Sequence, residues 1–498
     1  MQSLAIAILA VPFAGAVTCL AVRDRASKIV AVIASAITAE LAVILALGAA
    51  NETRLFGSMP WLGMDTGLFG YQFDPLAIIM LLASTLIGLA ITIYSMGYLS
   101  PGNHEHATRS GQARYYFWLM TFVGSMVGIA ISPTLLQLLI FWEMTTLCSW
   151  ALISFYDNKE SLKAGMKALV MTSFGGLFFL GGLVWVLSAT GSLTFNALGL
   201  MTPQMRAWAF ALFLIAAWAK SAQVPFHTWL PDAMAAPTPI SAYLHAAAMV
   251  KAGVFLTARL LLAGWQLPTG MSLLISIAAL ITMFTALAMY FFQDDLKKLL
   301  AYSTIAQLGY IFLGLGLGAL GATMAFKGAI LHILMHAVAK TLLFLTVGAI
   351  AYATGTRSIS KLSGLARTMP IAAVAFFVGA FALTGIPPLA CFWSKIYVLV
   401  GALQVPGAFG PVALILVVTE SLISFAWFLW VGQQVFFGKP KQSVPTSSPE
   451  KAKKPQRALQ TAGALDPPAS MNWILVVLIV ACFLAPIAGI PIVQAIMP

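Results

Sequence analysis

Long apolar runs recur from one end of the chain to the other, separated by short polar stretches. An apolar run of about 20 residues is long enough to cross the hydrocarbon core of a bilayer as a helix. The pattern therefore predicts an all-α, polytopic membrane protein with about fourteen transmembrane helices. The predicted spans are about 2–22, 28–50, 75–97, 115–132, 134–155, 164–188, 207–224, 240–263, 271–292, 298–319, 325–352, 370–402, 409–436 and 472–494.

Prolines predict breaks in two of these spans. Span 12 is too long for one straight crossing and contains the sequence GIPP, with Pro387 and Pro388. Span 7 ends in KSAQVPFHTWLPDA, where Pro225 and Pro231 interrupt the helix pattern. Proline removes a helical hydrogen bond and clashes with the preceding turn. Non-helical backbone at membrane depth is tolerated only inside protein or beside a cavity, so we expect both breaks to lie near a functional site.

The positions of the two breaks indicate an internal duplication. Spans 4–8 and 9–13 form two groups of five, and an odd number of crossings inverts the second group relative to the first. Each group has its broken helix in fourth place, with Lys220 or Lys395 beside the break, which is the arrangement typical of transporter sites. The expected divisions are residues 1–114 with helices 1–3, 115–263 with helices 4–8, 264–438 with helices 9–13, 439–471 as a flexible basic loop, and 472–498 with helix 14.

Composition and charge support the membrane assignment. The chain of 498 residues is 60% hydrophobic and 8% charged, far below the roughly 25% charged residues of soluble domains. Its net charge of +12 does not indicate nucleic-acid binding, because nineteen lysines and arginines fall in the odd-to-even loops and four on the opposite side. The positive-inside rule places those loops in the cytoplasm and both termini outside. The four cysteines are far apart and form no C-x-x-C, so we expect no metal and no cofactor.

Ionisable residues inside the spans are the candidate functional residues. A charge at mid-bilayer costs about 2.5–3.5 kcal/mol on insertion scales, and such residues mark ion or proton pathways. The stretch LHILMHAVAK places His332, His336 and Lys340 four residues apart, on one face of a helix, in a row roughly 12 Å long. Histidine exchanges protons near neutral pH, and a buried lysine can accept one. The row therefore predicts a proton path; the alternative is a polar seam that only holds helices together.

Five further residues complete this set. Glu143 lies in span 5 and is expected to pair with Lys220, so that movement of the carboxylate would switch the lysine between holding and releasing a proton. The alternative is a static ion pair. His245 and Lys251 share span 8 but are about 600° apart around it, so they should not pair directly. His245 alone could be a packed histidine bonded to a backbone carbonyl, whereas Lys395 is expected to be the terminal group of the path.

Several motifs then resemble a known family. They are PFHTWLPDAMAAPTPISAYLHAAAMVKAGVF (225–255), FWEMTT, LLAYSTIAQLGY, HAVAK and TGIPPLACFWSK. Together they resemble the antiporter-like membrane subunits shared by respiratory complex I, multi-subunit cation/proton antiporters and membrane-bound hydrogenases. The segments TIYSMGYLSPGNHEH, RYYFWLMTFVGSMVGIAIS, FWEMTTLCSWALISFYDNKES, AAWAKSAQ and ESLISFAWF are most similar to the hydrogenase-4 component D branch of formate-hydrogenlyase-type complexes.

The resemblance implies a role for every candidate residue. Glu143 and Lys220 would be the glutamate–lysine pair of spans 5 and 7, and His245 and Lys251 the span-8 groups. The relay of span 11 would comprise His332, His336 and Lys340, with Lys395 as the terminal group.

The function expected from this resemblance is proton translocation within a membrane-bound [NiFe]-hydrogenase complex in a bacterial inner membrane. The expected partners are other membrane subunits, the peripheral hydrogenase and iron–sulfur subunits, and the lipid bilayer, with no nucleic acid. Three alternatives stay open. They are a subunit of a Na⁺/H⁺ antiporter, a subunit of an NADH:quinone oxidoreductase, and a non-conducting structural subunit.

Overall fold

The structure, a computed structural model, describes residues 2–49, 55–58, 69–264, 266–438 and 467–496. Within these ranges the chain folds into seventeen α-helices and one short hairpin. The helices are α1 Gln2–Ala21, α2 Asp24–Ala49, α3 Pro75–Tyr98, α4 Gln112–Ile131, α5 Leu135–Ile153, α6 Lys159–Thr190, α7 Pro203–Lys220, α8 Trp229–Asp232, α9 Thr238–Ala246, α10 Met249–Leu262, α11 Thr269–Tyr290, α12 Leu296–Ala319, α13 Thr323–Thr354, α14 Pro370–Thr384, α15 Ala390–Ala402, α16 Phe409–Phe436 and α17 Ala469–Gln494. Most of the predicted basic loop, residues 439–466, lies outside the described residues.

The predicted all-α membrane fold is confirmed. In the ranges that the structure describes, twelve helices are long and apolar enough to cross a membrane, with α9 and α10 together forming one of them. These twelve correspond one to one with predicted spans. The remaining two predicted spans, 7 and 12, are the two that were expected to be broken.

Both expected breaks are present. In span 7, α7 ends at Lys220, and irregular backbone with short helical turns continues to Pro237. In span 12, α14 ends at Thr384 and α15 begins at Ala390. Gly385 takes the left-handed conformation after α14, with φ of 93°, which favours glycine. The prolines thus separate each span into two parts that meet inside the bundle.

A third break, in span 8, was not expected. The sequence predicted one helix over 240–263, but α9 ends at Ala246 and α10 begins at Met249. The amide of Ala248 donates to the carbonyl of Tyr243, five residues earlier, at 3.0 Å. This wider turn is a π-type irregularity, a feature often found at functional sites. The alanine-rich sequence gives no signal for it, because alanine is the residue best suited to a regular helix.

The centre of the bundle is α13. Every side chain of α13 from Gly328 to Ala353 is buried, and it packs against α3, α9, α12, α14, α15 and α17. Helices α9 and α10 are buried to a similar degree. Lipid tails offer no hydrophobic gain over neighbouring helices, so the polar groups of these central helices must find partners inside the protein.

Side-chain caps and one hairpin position the helix ends. Residues Leu55–Ser58 (β1) pair antiparallel with Gly70–Phe73 (β2). The side chain of Gln137 on α5 binds both the amide and the carbonyl of Gly70, at 2.8 and 3.1 Å. Asp74 then caps α3 by accepting from the amide of Ala77 at 2.9 Å. The same carboxylate forms a buried two-point ion pair with Arg259 of α10, so it ties α3 to α10.

Candidate functional site

We use the name polar seam for a set of nine ionisable side chains that lie within the spans. Eight are the residues singled out in the sequence, and the ninth is Glu420 on α16. All but Glu143 are buried, with no more than 5% of the residue exposed. The members are Glu143, Lys220, His245, Lys251, His332, His336, Lys340, Lys395 and Glu420.

Lys220 closes α7 and is held by α5. Its ammonium donates to the carbonyl of Trp142 at 2.8 Å and to the hydroxyl of Thr146 at 2.6 Å. It also lies 5.0 Å from the centre of the Trp142 ring, within cation–π range. Glu143 is the neighbour of Trp142 on α5, and its Oε1 has no hydrogen-bond partner among the described residues. The expected ion pair is not formed: in the described part of the chain, no contact within 4.0 Å joins Glu143 to Lys220.

Lys251 on α10 joins the two five-helix groups. Its Nζ lies 2.9 Å from Nδ1 of His336 on α13, and both side chains are fully buried. The break between α9 and α10 lies two residues before Lys251. The sequence singled out both residues but gave no indication that they pair, because the pairing depends on the break.

His332 and His336 lie together on α13, as the row predicted. Their ring centres are 5.9 Å apart. Nδ1 of His332 is 2.8 Å from the Ser394 hydroxyl, and Nε2 is 3.0 Å from Oε1 of Gln307. Nε2 of His336 has no partner among the described residues. The two rings therefore connect Lys251 on α10 to Ser394 on α15.

Lys340 lies one turn beyond His336 on α13. Its ammonium donates to the Ser303 hydroxyl at 2.5 Å and to the Leu300 carbonyl at 3.3 Å, both on α12. His332 and Lys340 therefore both bond to α12, at Gln307 and Ser303, which lie one turn apart on that helix. His245 is packed with its ring centre 5.0 Å from that of Phe344, one turn along α13 from Lys340. Neither ring nitrogen of His245 has a partner among the described residues, which differs from the backbone-bonded histidine considered above.

Lys395 and Glu420 complete the seam. The Lys395 ammonium donates to the Thr384 carbonyl at 3.3 Å and to the Ser421 hydroxyl at 3.0 Å. Ser421 in turn donates to Oε2 of Glu420 at 3.4 Å. The sequence signal for Glu420 is a carboxylate within an apolar run. The position of Ser421 next to it supplies the link.

One aromatic ring connects Lys395 to the histidines. The centre of the Tyr310 ring is 5.1 Å from that of His332 and 5.2 Å from the Lys395 ammonium. A linked series therefore runs through the second group of helices, whereas Lys220 and Glu143 stand apart from it. Every member of the series can hold or release a proton or can bond to one that does. Chemically, the arrangement suits proton exchange between buried groups.

Charged groups at the ends of the helices and in the loops also join separate parts of the chain. Lys297 is buried and donates to the carbonyls of Met234 and Ala236, at 2.8 and 2.7 Å. Arg357 pairs with Glu105 and with Asp295, at 3.2 Å in each case. We call the side of the bundle formed by loop residues 99–111, 291–295 and 355–369 the basic face. Lys297 is buried because the end of the span-7 break packs over it.

Two groups on the basic face have shifted pKa values. Burial lowers the pKa of His106, although the nearby negative charge of Glu105 acts to raise it. For Asp294, desolvation is outweighed by hydrogen bonds from Ser358 and Ser360, and the pKa is lowered. Asp294 is therefore an ionised carboxylate at neutral pH.

Comparison with known proteins agrees with this geometry. The family model described as "NADH:quinone oxidoreductase/Mrp antiporter, TM" matches residues 132–424, and "NADH-Ubiquinone oxidoreductase (complex I), chain 5 N-terminus" matches residues 66–116. The Na(+)/H(+) antiporter subunit A1 of Staphylococcus haemolyticus (strain JCSC1435) is 37% identical over 417 residues, covering 79% of this chain and 50% of the relative. The chloroplastic NAD(P)H-quinone oxidoreductase subunit 5 of Chaetosphaeridium globosum is 39% identical over 361 residues, covering 68% and 51%.

Two solved structures also match the fold of this chain. A chain of the Mrp complex from Dietzia sp. DQ12-45-1b matches with a TM-score of 0.83 and 30% identity, over 99% of this chain and 51% of that one. A chain of the archaeal membrane-bound sulfane sulfur reductase matches with a TM-score of 0.83 and 21% identity, over 99% and 97%, and shows the fold alone. The chain spans about half the length of the curated relatives that it matches.

Proposed function

Because the chain belongs to the NADH:quinone oxidoreductase/Mrp antiporter transmembrane family, we propose that it translocates protons along the polar seam. The observation that carries this proposal is the linked series from Lys251 through His336 and His332 to Lys395. A seam that served only to hold helices together would not need two adjacent buried imidazoles, each of which can bind a proton on one nitrogen and release it from the other.

The proposed mechanism assigns the residues to two halves, 115–263 and 264–438. In the first half, Glu143 modulates Lys220 by approaching or leaving it, since a carboxylate favours the charged form of a nearby lysine. Lys251 passes a proton to Nδ1 of His336, the atom 2.9 Å from its ammonium. Transfer then proceeds to His332, with water bridging the gap between the rings.

Lys395 is proposed as the group that releases the proton, which reaches it from His332 through bridging water. It senses His332 across the Tyr310 ring, because a charge on either side polarises the same ring. The Ser421 hydroxyl connects it to Glu420, which provides a carboxylate to receive the proton. Lys340 holds a second protonation site beside the series, bonded to Ser303.

Proton flux in variants tests the proposal. The assembled complex is placed in membrane vesicles, its driving reaction is started, and acidification is followed with a pH-sensitive dye. Lys220→Ala and Lys340→Ala should each lower the initial rate by about tenfold or more, because each removes a proton-transfer group. Lys298→Ala, an exposed lysine on α12, should leave the rate unchanged. Unchanged flux in both seam variants, at matched amounts of assembled complex, would reject the proposal.

We further propose that the parent complex is of the hydrogenase-4 type, with a [NiFe]-hydrogenase and iron–sulfur subunits as partners. The motifs quoted above support this assignment. The second candidate is a Na⁺/H⁺ antiporter, which the name of the Staphylococcus relative favours, and the chloroplastic relative favours an NADH:quinone oxidoreductase in the same way. Co-purification of a nickel–iron protein would support the hydrogenase, whereas strict sodium dependence of vesicle acidification would support the antiporter.

The proposed location is a bacterial inner membrane, with both termini outside. The excess of lysine and arginine in the odd-to-even loops supports this orientation. A cysteine placed at the exposed Ser110 should then react with an impermeant maleimide only from the cytoplasmic side. Reaction from the outside would reverse the orientation.

A further inference from the structure

An open cavity of about 610 Å³ lies on the basic face. Its lining includes Glu105, His106, Asp294, Asp295 and Arg357. The Glu105 side chain is only 9% exposed, whereas most of the other lining residues come from exposed loops. Glu105 therefore lies where the solvent-filled cavity meets the packed helices.

Glu105 begins a chain of hydrogen bonds that leads inward. The Tyr98 hydroxyl, at the end of α3, donates to Oε2 of Glu105 at 3.0 Å. The same hydroxyl is 3.1 Å from Oγ1 of Thr238, the first residue of α9. Tyr98 and Thr238 are buried, with 1% and 0% exposure. Because Tyr98 donates to the carboxylate, its oxygen can accept from Thr238, and the three groups form one continuous wire.

Thr238 lies on the same helix as His245, a member of the polar seam. On α9 it is seven residues, or two turns, from His245, about 10 Å along the axis. Gly348 of α13 faces Thr238: a Cβ atom there would lie 2.9 Å from Cγ2 of Thr238 and 2.9 Å from the Tyr94 hydroxyl. Gly348 is in turn two turns from Lys340, about 12 Å along α13. The missing side chain at Gly348 therefore allows α13 to pack closely against Thr238 of α9 and Tyr94 of α3.

His245 lies on the same face of α9 as Thr238, because seven residues are about two full turns, and its two ring nitrogens are unpartnered in the part of the chain that the structure describes. Both are buried without a hydrogen-bond partner among the described residues. A buried imidazole without partners is costly, so its nitrogens require a polar group or water to satisfy them. The wire through Thr238 approaches His245 from the basic face, on its own helix.

We propose that Glu105, Tyr98 and Thr238 form the route by which protons reach His245 and Lys340 from the basic face. Glu105 collects a proton at the floor of the cavity. Arg357, bonded to both Glu105 and Asp295, positions the carboxylate there. The inference rests on the proposed function, since a route to the seam matters only if the seam carries protons.

Tyr98→Phe tests the route, because it removes the hydroxyl and keeps the ring. In vesicles that contain the assembled complex, it should lower the initial rate of proton movement by about tenfold or more. The matched control is Tyr352→Phe: its ring centre is 6.5 Å from that of Tyr98, and its hydroxyl bonds to Ser100 instead. That variant should keep at least half of the wild-type rate.

Two further variants keep the test decisive if Tyr98→Phe assembles poorly. Thr238→Val removes the next hydroxyl in the wire and should lower the rate to a similar extent. Glu105→Gln should also lower the rate. Asp294→Asn, which likewise removes one negative charge from the cavity lining, should not lower it. A normal rate in Tyr98→Phe and Thr238→Val, or an equal loss in Tyr352→Phe or Asp294→Asn, would overturn the inference.

Lys340→Ala separates this inference from the proposed function. If Lys340→Ala loses proton movement and Tyr98→Phe and Thr238→Val retain it, the access route is wrong and the proposed function stands. If all three retain it, and Lys220→Ala does so too, the proposed function itself fails.

Discussion

The buried lysines of the seam are bonded to carbonyl and hydroxyl oxygens and to an imidazole, not to carboxylates. Lys220, Lys340 and Lys395 each bind one backbone carbonyl and one hydroxyl, and Lys251 binds a histidine. A buried lysine bonded directly to a carboxylate cannot lose its charge without leaving the carboxylate unpaired, which is costly. A lysine bonded to neutral oxygens keeps its donors whether it carries two or three hydrogens. The neutral partners therefore suit groups that change protonation.

Ser421 is predicted to matter more than Ser424, although both bond to Glu420. Ser421 links Glu420 to Lys395, whereas Ser424 donates only to Oε1 of Glu420, at 2.8 Å. Ser421→Ala should lower the rate of vesicle acidification several-fold or more, because it interrupts a proton-transfer step. Ser424→Ala serves as the control and should have a smaller effect. Equal rates in the two variants would contradict the linking role of Ser421.

At the scale of elements, proline residues made two helix breaks predictable, whereas the local sequence gave no signal for the third break. Pro225 and the pair Pro387–Pro388 end α7 and α14 as expected. The break between α9 and α10 lies in an alanine-rich stretch, and it directs Lys251 toward α13. Such a break is fixed by packing among α9, α10 and α13, which are buried on all sides, and no residue type signals that packing.

The Asp74–Arg259 pair is predicted to be a major determinant of helix positions. It joins the N-terminus of α3 to the C-terminal turn of α10, and both side chains are at least nine-tenths buried. Asp74→Asn should destabilise the protein by about 3–5 kcal/mol, because it leaves the arginine charge buried and uncompensated. Thermal unfolding of the purified complex in detergent measures this effect.

Asp157→Asn is the matched control for Asp74→Asn. Asp157 pairs with Arg114 at 2.8 Å, but both side chains are largely exposed. Exposed pairs contribute about 0–1 kcal/mol, so this variant should unfold close to the wild-type temperature. Similar shifts in both variants would show that burial does not set the strength of the Asp74 pair.

At the scale of the molecule, the sequence predicted the number of spans, the two proline breaks and the presence of ionisable residues inside the spans. Apolar run length and the cost of buried charge are local properties, so these features are readable from the chain. Which groups contact each other cannot be predicted in this way, because contacts such as that of Lys251 with His336 join residues 85 positions apart. The same holds for Glu105 and Tyr98, whose surroundings depend on loops from three parts of the chain.

Lys251 offers the most direct test of the central claim, since it is the residue through which the structure connects the two halves. The measurement is the initial rate of proton movement in vesicles that contain the assembled complex with Lys251→Ala. Lys327→Ala, in the first turns of α13 and bonded to the Gln494 carbonyl, is the control. The account predicts a loss of about tenfold or more for Lys251→Ala and a normal rate for Lys327→Ala. A normal rate in Lys251→Ala would contradict a proton path through the seam.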